Sequence, residues 1–230
     1  MIRNTLSTSS VAAGLSFVFD LDGVVVDSNR VHAACWREYL RRYGLETPED
    51  FDLRMFGRRN DEIVRGMFGP DLDPAEVFRH GAEKEKLYRE VMRPVLQEHL
   101  VPGVARFLER HRDVPIAVAT NGEPANADFV IDTGGLRPFF RAVVNGHQVE
   151  RPKPDPEIYF RAAELLSTSP ANCIVFEDSR AGVEAARSSG ARVVGVRTTH
   201  SESELPRVDK SIRDFFDPEL ELWLSAQKAV

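Results

Sequence analysis

Hydrophobic and polar positions along the chain follow two periods, and where each prevails predicts the elements. Short apolar runs bounded by turn residues mark buried strands at 15–19, 114–119, 142–145, 173–177 and 192–196. Apolar residues at three- and four-residue steps mark helices between them. From Ser28, a candidate N-cap, Val31, Cys35, Trp36, Tyr39, Leu40 and Tyr43 trace one helical face until Gly44 stops it. Helical segments follow at 49–56, 60–68 and 74–93, with no strand pattern among them. After Val101-Pro102-Gly103 strands alternate with helices at 103–111, 124–133, 155–167, 180–189 and 218–227.

Such alternation implies an α/β fold, a doubly wound parallel sheet covered by helices, with an all-helical block inserted after the first strand. Residues 14–27 and 98–230 then form the α/β core and 28–97 the inserted cap. Residues 1–13 are small and polar without sustained periodicity, and are expected to be a disordered leader.

Composition narrows the setting. Apolar residues make up 42% of 230, enough for a large core, and the formal charge of −6 argues against nucleic acid or an anionic membrane as partner. No stretch approaches the roughly 18 apolar residues of a membrane span. A monomer in the cytoplasm is the expectation. Cys35 and Cys173 lie in a helical and a strand pattern without metal-ligand spacing, and read as buried thiols.

Chemistry gathers at four strand ends, where open α/β sheets bind ligands. In Asp20-Leu21-Asp22-Gly23, alternation sends both carboxylates the same way, so they can divide nucleophilic and acid/base work or attract a hard cation such as Mg²⁺. The second run ends in Thr120-Asn121-Gly122, whose hydroxyl and backbone N–H groups suit a phosphate oxygen, although a turn or cap uses the same residues. Arg151-Pro152-Lys153-Pro154 holds one lysine in a stiff extended segment, able to neutralise charge on a transferring group or to sit in solvent. Glu177-Asp178 ends the last of the four, as part of a metal site or as a polar loop before a helix. Each is weak alone; their coincidence at strand ends makes one site the better reading. No G-x-G-x-x-G follows the first strand, which disfavours dinucleotide binding.

With FDLDGVVVDS, VATNG, RPKPDPEIY and FEDSRAGVEAA in this order, the chain resembles the haloacid dehalogenase-like superfamily over residues 15–215. The matching branch carries a helical cap between its first and second motifs and includes β-phosphoglucomutase and many sugar-phosphate phosphatases. The resemblance implies Asp20 as nucleophile and Asp22 as general acid/base, with Thr120, Asn121 and Lys153 on the phosphoryl group. It implies Mg²⁺ held by Asp20, the backbone carbonyl of Asp22 and Asp178, with Glu177 in support. A moderately raised pKa would serve Asp22 in its double role. The expected reaction is Mg²⁺-dependent hydrolysis of a small phosphorylated metabolite, a sugar or related phosphate. The alternative is a phosphosugar mutase.

The cap would exclude water and select the leaving group. His32 and Trp36 match a feature of the sugar-phosphate members, and Gly57 and Arg58 look like a substrate loop. That loop reads Arg59-Asn60 where mutases usually have Ser-Arg, which disfavours the mutase. Arg89 is a further candidate for the substrate, whereas Lys84 and Lys86, within a charged helical run, read as a solvated face. A phospho-accepting receiver module shares the acids, hydroxyl and lysine but would lack the inserted cap.

Overall fold

A computed structural model of the chain describes residues 14–55, 58–205 and 207–229. The proposed leader 1–13 and Gly57 lie outside them. Six strands form one parallel sheet: β1 (Ser16–Phe19), β2 (Ile116–Ala119), β3 (Ala142–Val144), β4 (Cys173–Glu177), β5 (Arg192–Val196) and β6 (Lys210–Ile212), in the spatial order β3-β2-β1-β4-β5-β6. This is the doubly wound arrangement, with its crevice at the carboxyl ends of the central strands. β6 differs from expectation. Its Lys210 and Ser211 give no apolar run, and it forms at the sheet edge by pairing with β5.

β1, β2 and β4 are buried at every position because helices cover both faces. Alternation sorts their side chains. Phe17, Phe19 and Phe176 point to one face with Phe107 and Phe215, where the rings of Phe19 and Phe176 stack at 4.5 Å. Val18, Ala117 and Val175 point to the other, against Ile158 and Tyr159. The covering helices are α6 (Val104–Arg110), α7 (Pro124–Thr133), α8 (Glu157–Leu165), α9 (Arg180–Ser188) and α10 (Pro218–Ser225).

Between β1 and α6 lie α1 (Asn29–Arg42), α2 (Phe51–Met55), α3 (Asn60–Phe68), α4 (Pro74–Met92) and α5 (Leu96–His99). Trp36, Tyr39, Leu40, Phe51, Ile63, Val64 and Val77 give the helical block its own apolar cluster. Farther along α4, Tyr88 and Met92 join the cluster beneath the sheet. The chain enters and leaves this block along paired segments: Val26 bridges Leu100 antiparallel, Asp27 N donates to His99 O at 2.8 Å, and Val101 N to Val25 O at 3.0 Å.

Ser28 occupies the N-cap position of α1, but its hydroxyl makes no cap bond. It donates to Asp22 Oδ1 at 2.5 Å, a charge-assisted bond. The remaining thiols follow expectation, with Cys35 and Cys173 buried and unpaired.

Candidate active site

The carboxyl ends of β1, β2 and β4 and the facing helices α1, α3 and α4 enclose a cleft of about 350 Å³. Asp20, Asp22, Thr120, Asn121, Lys153 and Asp178 all line it, so the four segments converge, although Lys153 comes from the turn before α8, nine residues past the end of β3, and not from a strand end. Glu177 lies behind them.

Lys153 is the hub. Its buried ammonium donates to Asp20 Oδ1 at 2.5 Å, Glu177 Oε1 at 2.7 Å and Ala119 O at 2.8 Å. Burial would lower its pKa, but the charges of Asp20 and Glu177 raise it above the ordinary lysine value. Asn121 braces this segment, accepting from Lys153 N at 3.1 Å. Its side chain therefore fixes the lysine loop. Thr120 Oγ1 accepts from Gly122 N at 2.9 Å, which orients the hydroxyl at the cleft floor.

Glu177 has no solvent exposure, and both its oxygens are engaged. Besides Lys153, Oε1 receives Tyr159 OH at 2.8 Å, while Oε2 receives Asp178 N, Ser179 N and Ser179 Oγ at 3.0–3.1 Å. A Cβ at Gly182 would stand 1.7 Å from Oε1, so only glycine admits this carboxylate. Asp178 Oδ2 accepts from Asn29 Nδ2 at 3.0 Å and from Thr199 Oγ1. Asn29 and Thr199 were not legible as site residues, and Tyr159, the last residue of RPKPDPEIY, was assigned no role. Asn29 and Thr199 carry no periodic signal, and Tyr159 sits in an ordinary apolar helix pattern.

Oxygens of Asp20, Glu177 and Asp178 lie within 4.8 Å of one another. Burial, more than Lys153 offsets, lifts Asp20 to about 7. Burial and repulsion from Glu177 and Asp20 hold Asp178 well above the carboxylate range. Three buried carboxylates against one ammonium are short of positive charge, and their all-oxygen donor set fits a hard divalent cation such as Mg²⁺.

Asp22 behaves against expectation. Burial pushes its pKa up, yet the result lies below the ordinary value because His32 Nε2, 3.3 Å away, and the Ser28 hydroxyl favour the carboxylate. His32 stacks on Tyr88, with ring centroids 3.8 Å apart. Trp36 is both buried and part of the cleft wall.

Lys84 is not solvated; it is 1% exposed, whereas Lys86 is exposed as expected. The phase of Val77, Tyr88 and Met92 turns position 84 inward, where the ammonium lies 4.9 Å from the Trp36 ring centroid. It donates to Glu85 Oε1 at 2.6 Å and contacts His32 Nδ1 at 2.9 Å. Arg89 departs from expectation too: it donates to Asn126 Oδ1 at 2.7 Å in the seam between α4 and α7, outside the cleft lining. Arg58 lines the cleft at its exposed rim.

Glu85 joins the helical block to the core, accepting from Asn60 at 2.9 Å and Asn126 at 2.6 Å. Burial opposes its ionisation, but Lys84, His32 and the amides bring its pKa from 4.5 to about 2. A depressed folded-state pKa gives stability that is present above the unfolded value and lost as pH falls toward 2. Urea unfolding should therefore show Glu85→Gln to be destabilised at pH 7 by roughly 2–3 kcal/mol, with the gap from wild type narrowing by pH 3. A gap independent of pH would remove this role.

Comparison with known proteins adds kinship to the geometry. A family model described as haloacid dehalogenase-like hydrolase matches residues 16–190. The chain is 33% identical over 187 residues to fructose-1-phosphate phosphatase YqaB of Escherichia coli, covering 80% of this chain and 96% of that protein. It is 34% identical over 184 residues to a phosphorylated carbohydrates phosphatase of Thermotoga maritima, covering 78% and 83%. Among solved structures, a β-phosphoglucomutase from Clostridium difficile superposes with a TM-score of 0.80 at 25% identity, covering 90% of this chain and 94% of that one.

Proposed function

The chain belongs to the haloacid dehalogenase-like hydrolases and is a phosphomonoester hydrolase, and from that footing we propose that it hydrolyses a small sugar phosphate through a phosphorylated Asp20. The observation that carries this reading is the convergence of Asp20, Thr120, Lys153 and Asp178 at one cleft floor beneath a helical cap.

In the first half-reaction an Asp20 carboxylate oxygen bonds to phosphorus, the bond from phosphorus to the sugar oxygen breaks, and Asp22 gives that oxygen its proton. His32 and Ser28 hold Asp22 ionised in the free protein. An arriving phosphate dianion opposes them and lets Asp22 take up the proton it will donate. In the second half-reaction Asp22 accepts a proton from water as the water oxygen bonds to phosphorus, and Asp20 leaves as carboxylate. Lys153 and the Thr120 hydroxyl steady the phosphoryl oxygens throughout. Mg²⁺ on Asp20, Asp178 and the Asp22 carbonyl, with Glu177 holding Lys153 behind, would supply Lewis-acid stabilisation of the transferring group.

The test is inorganic phosphate release from a panel of sugar phosphates in Mg²⁺ and in EDTA. Release in Mg²⁺ should fall by at least about 10²-fold in EDTA. Formation of glucose 6-phosphate from β-glucose 1-phosphate with no phosphate release would overturn hydrolysis in favour of a mutase.

A further inference from the structure

Beyond the phosphoryl end, the cleft meets an acid where a second phosphate would need a cation. Glu123 follows Thr120-Asn121-Gly122 at the N-cap position of α7 and lines the cleft. A Cβ on Gly122 would sit 3.1 Å from Thr120 Oγ1 and 3.6 Å from Asp22 Oδ2, so Glu123 is the first side chain past the reacting groups on this segment. Its side chain is 26% exposed, and its carboxylate is held from both sides: Asn60 Nδ2 of α3 at 3.4 Å and His147 Nε2 at 3.0 Å.

Among the described residues, the nearby cations other than Arg58 are engaged elsewhere. Lys84 is taken by Glu85 and His32, Arg89 by Asn126, and Lys153 by the catalytic carboxylates. Arg59 lies 3.4 Å from Asp61, and Arg65 donates to the carbonyls of Pro70 and Leu72. Arg58 stands at the exposed rim, where solvent and salt weaken its reach. His147 is already taken by Glu123 itself.

We propose that Glu123 selects monophosphates whose leaving group is an uncharged polyol and rejects substrates carrying a second phosphate. This rests on the phosphatase reading of the same cleft. A sugar hydroxyl donates to the carboxylate, whereas a second phosphate dianion meets like charge in a partly desolvated site. The repulsive element carries the discrimination. It also weighs against mutase chemistry, which passes through a bisphosphate held in one cleft.

Calorimetric binding to the Asp20→Asn protein in Mg²⁺ tests this without turnover, using fructose 1-phosphate and fructose 1,6-bisphosphate as probes. The monophosphate should bind at least about tenfold more tightly. Adding Glu123→Gln should bring the ratio toward one, and adding Glu123→Lys should reverse it. Equal binding of the two sugars, binding of neither, or a ratio that Glu123→Lys leaves unchanged overturns the proposal. Phosphate release by the wild-type protein is read in parallel: its absence on every substrate removes the phosphatase reading, while the binding ratios still decide the role of Glu123.

Discussion

Asp20→Asn should end phosphate release, by at least about 10³-fold, in a protein that stays folded. The amide oxygen can still accept from Lys153, which now sits 2.5 Å from Asp20 Oδ1, but it cannot form the acyl phosphate. Stability should move the other way. Asp20 has a folded-state pKa of about 7, above its ordinary 3.8, so the metal-free folded protein binds the proton more tightly than the unfolded chain does. A raised carboxyl pKa makes stability fall as pH rises from about 4 to 7, and the neutral amide removes that loss. In EDTA, the variant should therefore match or exceed wild-type stability at pH 7.5 and lose the advantage at pH 4. Residual release above one part in a hundred, or a variant less stable than wild type at pH 7.5, would contradict the assignment of Asp20.

Lys153→Met should be the most destabilising single change in the site, costing about 3–5 kcal/mol along with activity. Methionine keeps much of the apolar stem, so the loss isolates the ammonium. Without it Glu177 is left as a fully buried carboxylate whose Oε1 keeps only Tyr159 OH. Asp20 can relieve its share by taking up a proton, since its pKa already stands near neutrality. Glu177 keeps the Ser179 and Tyr159 donors, which favour its ionised form, so it takes up a proton less readily. The double variant Lys153→Met/Glu177→Gln should then be more stable than Lys153→Met alone. Urea unfolding of the four proteins of that cycle measures the coupling. Additive losses would mean that the two side chains do not depend on each other.

Much of this was legible in the chain because strand ends announce themselves. Asp20, Thr120 and Glu177 each follow or close an apolar run, and a parallel sheet brings such ends to one edge without further information. β6 was hidden because an edge strand of Lys210, Ser211 and Ile212 needs no apolar run, only a partner in β5. Lys84 was misread because its sequence neighbours are charged, although the spacing from Val77 to Tyr88 and Met92 already turned it inward. Its burial is tolerable because Glu85 and His32 wait there, and only three-dimensional proximity across α1 and α4 supplies them. Thr199 and Asn29 reach Asp178 from segments about 170 residues apart, a meeting no local pattern encodes.

The paired segments at Val26 and Leu100 have a consequence for the ancestry of such enzymes. Where the chain leaves the sheet and where it returns are already hydrogen-bonded neighbours. A closed loop of almost any length can be spliced between two such points while the strand register beyond them stays as it was. One reaction centre can thus be inherited intact under successive lids. The exchange is not free of conditions here, because Tyr88 and Met92 also pack beneath the sheet. A replacement lid would have to bring two apolar side chains of its own to the same place.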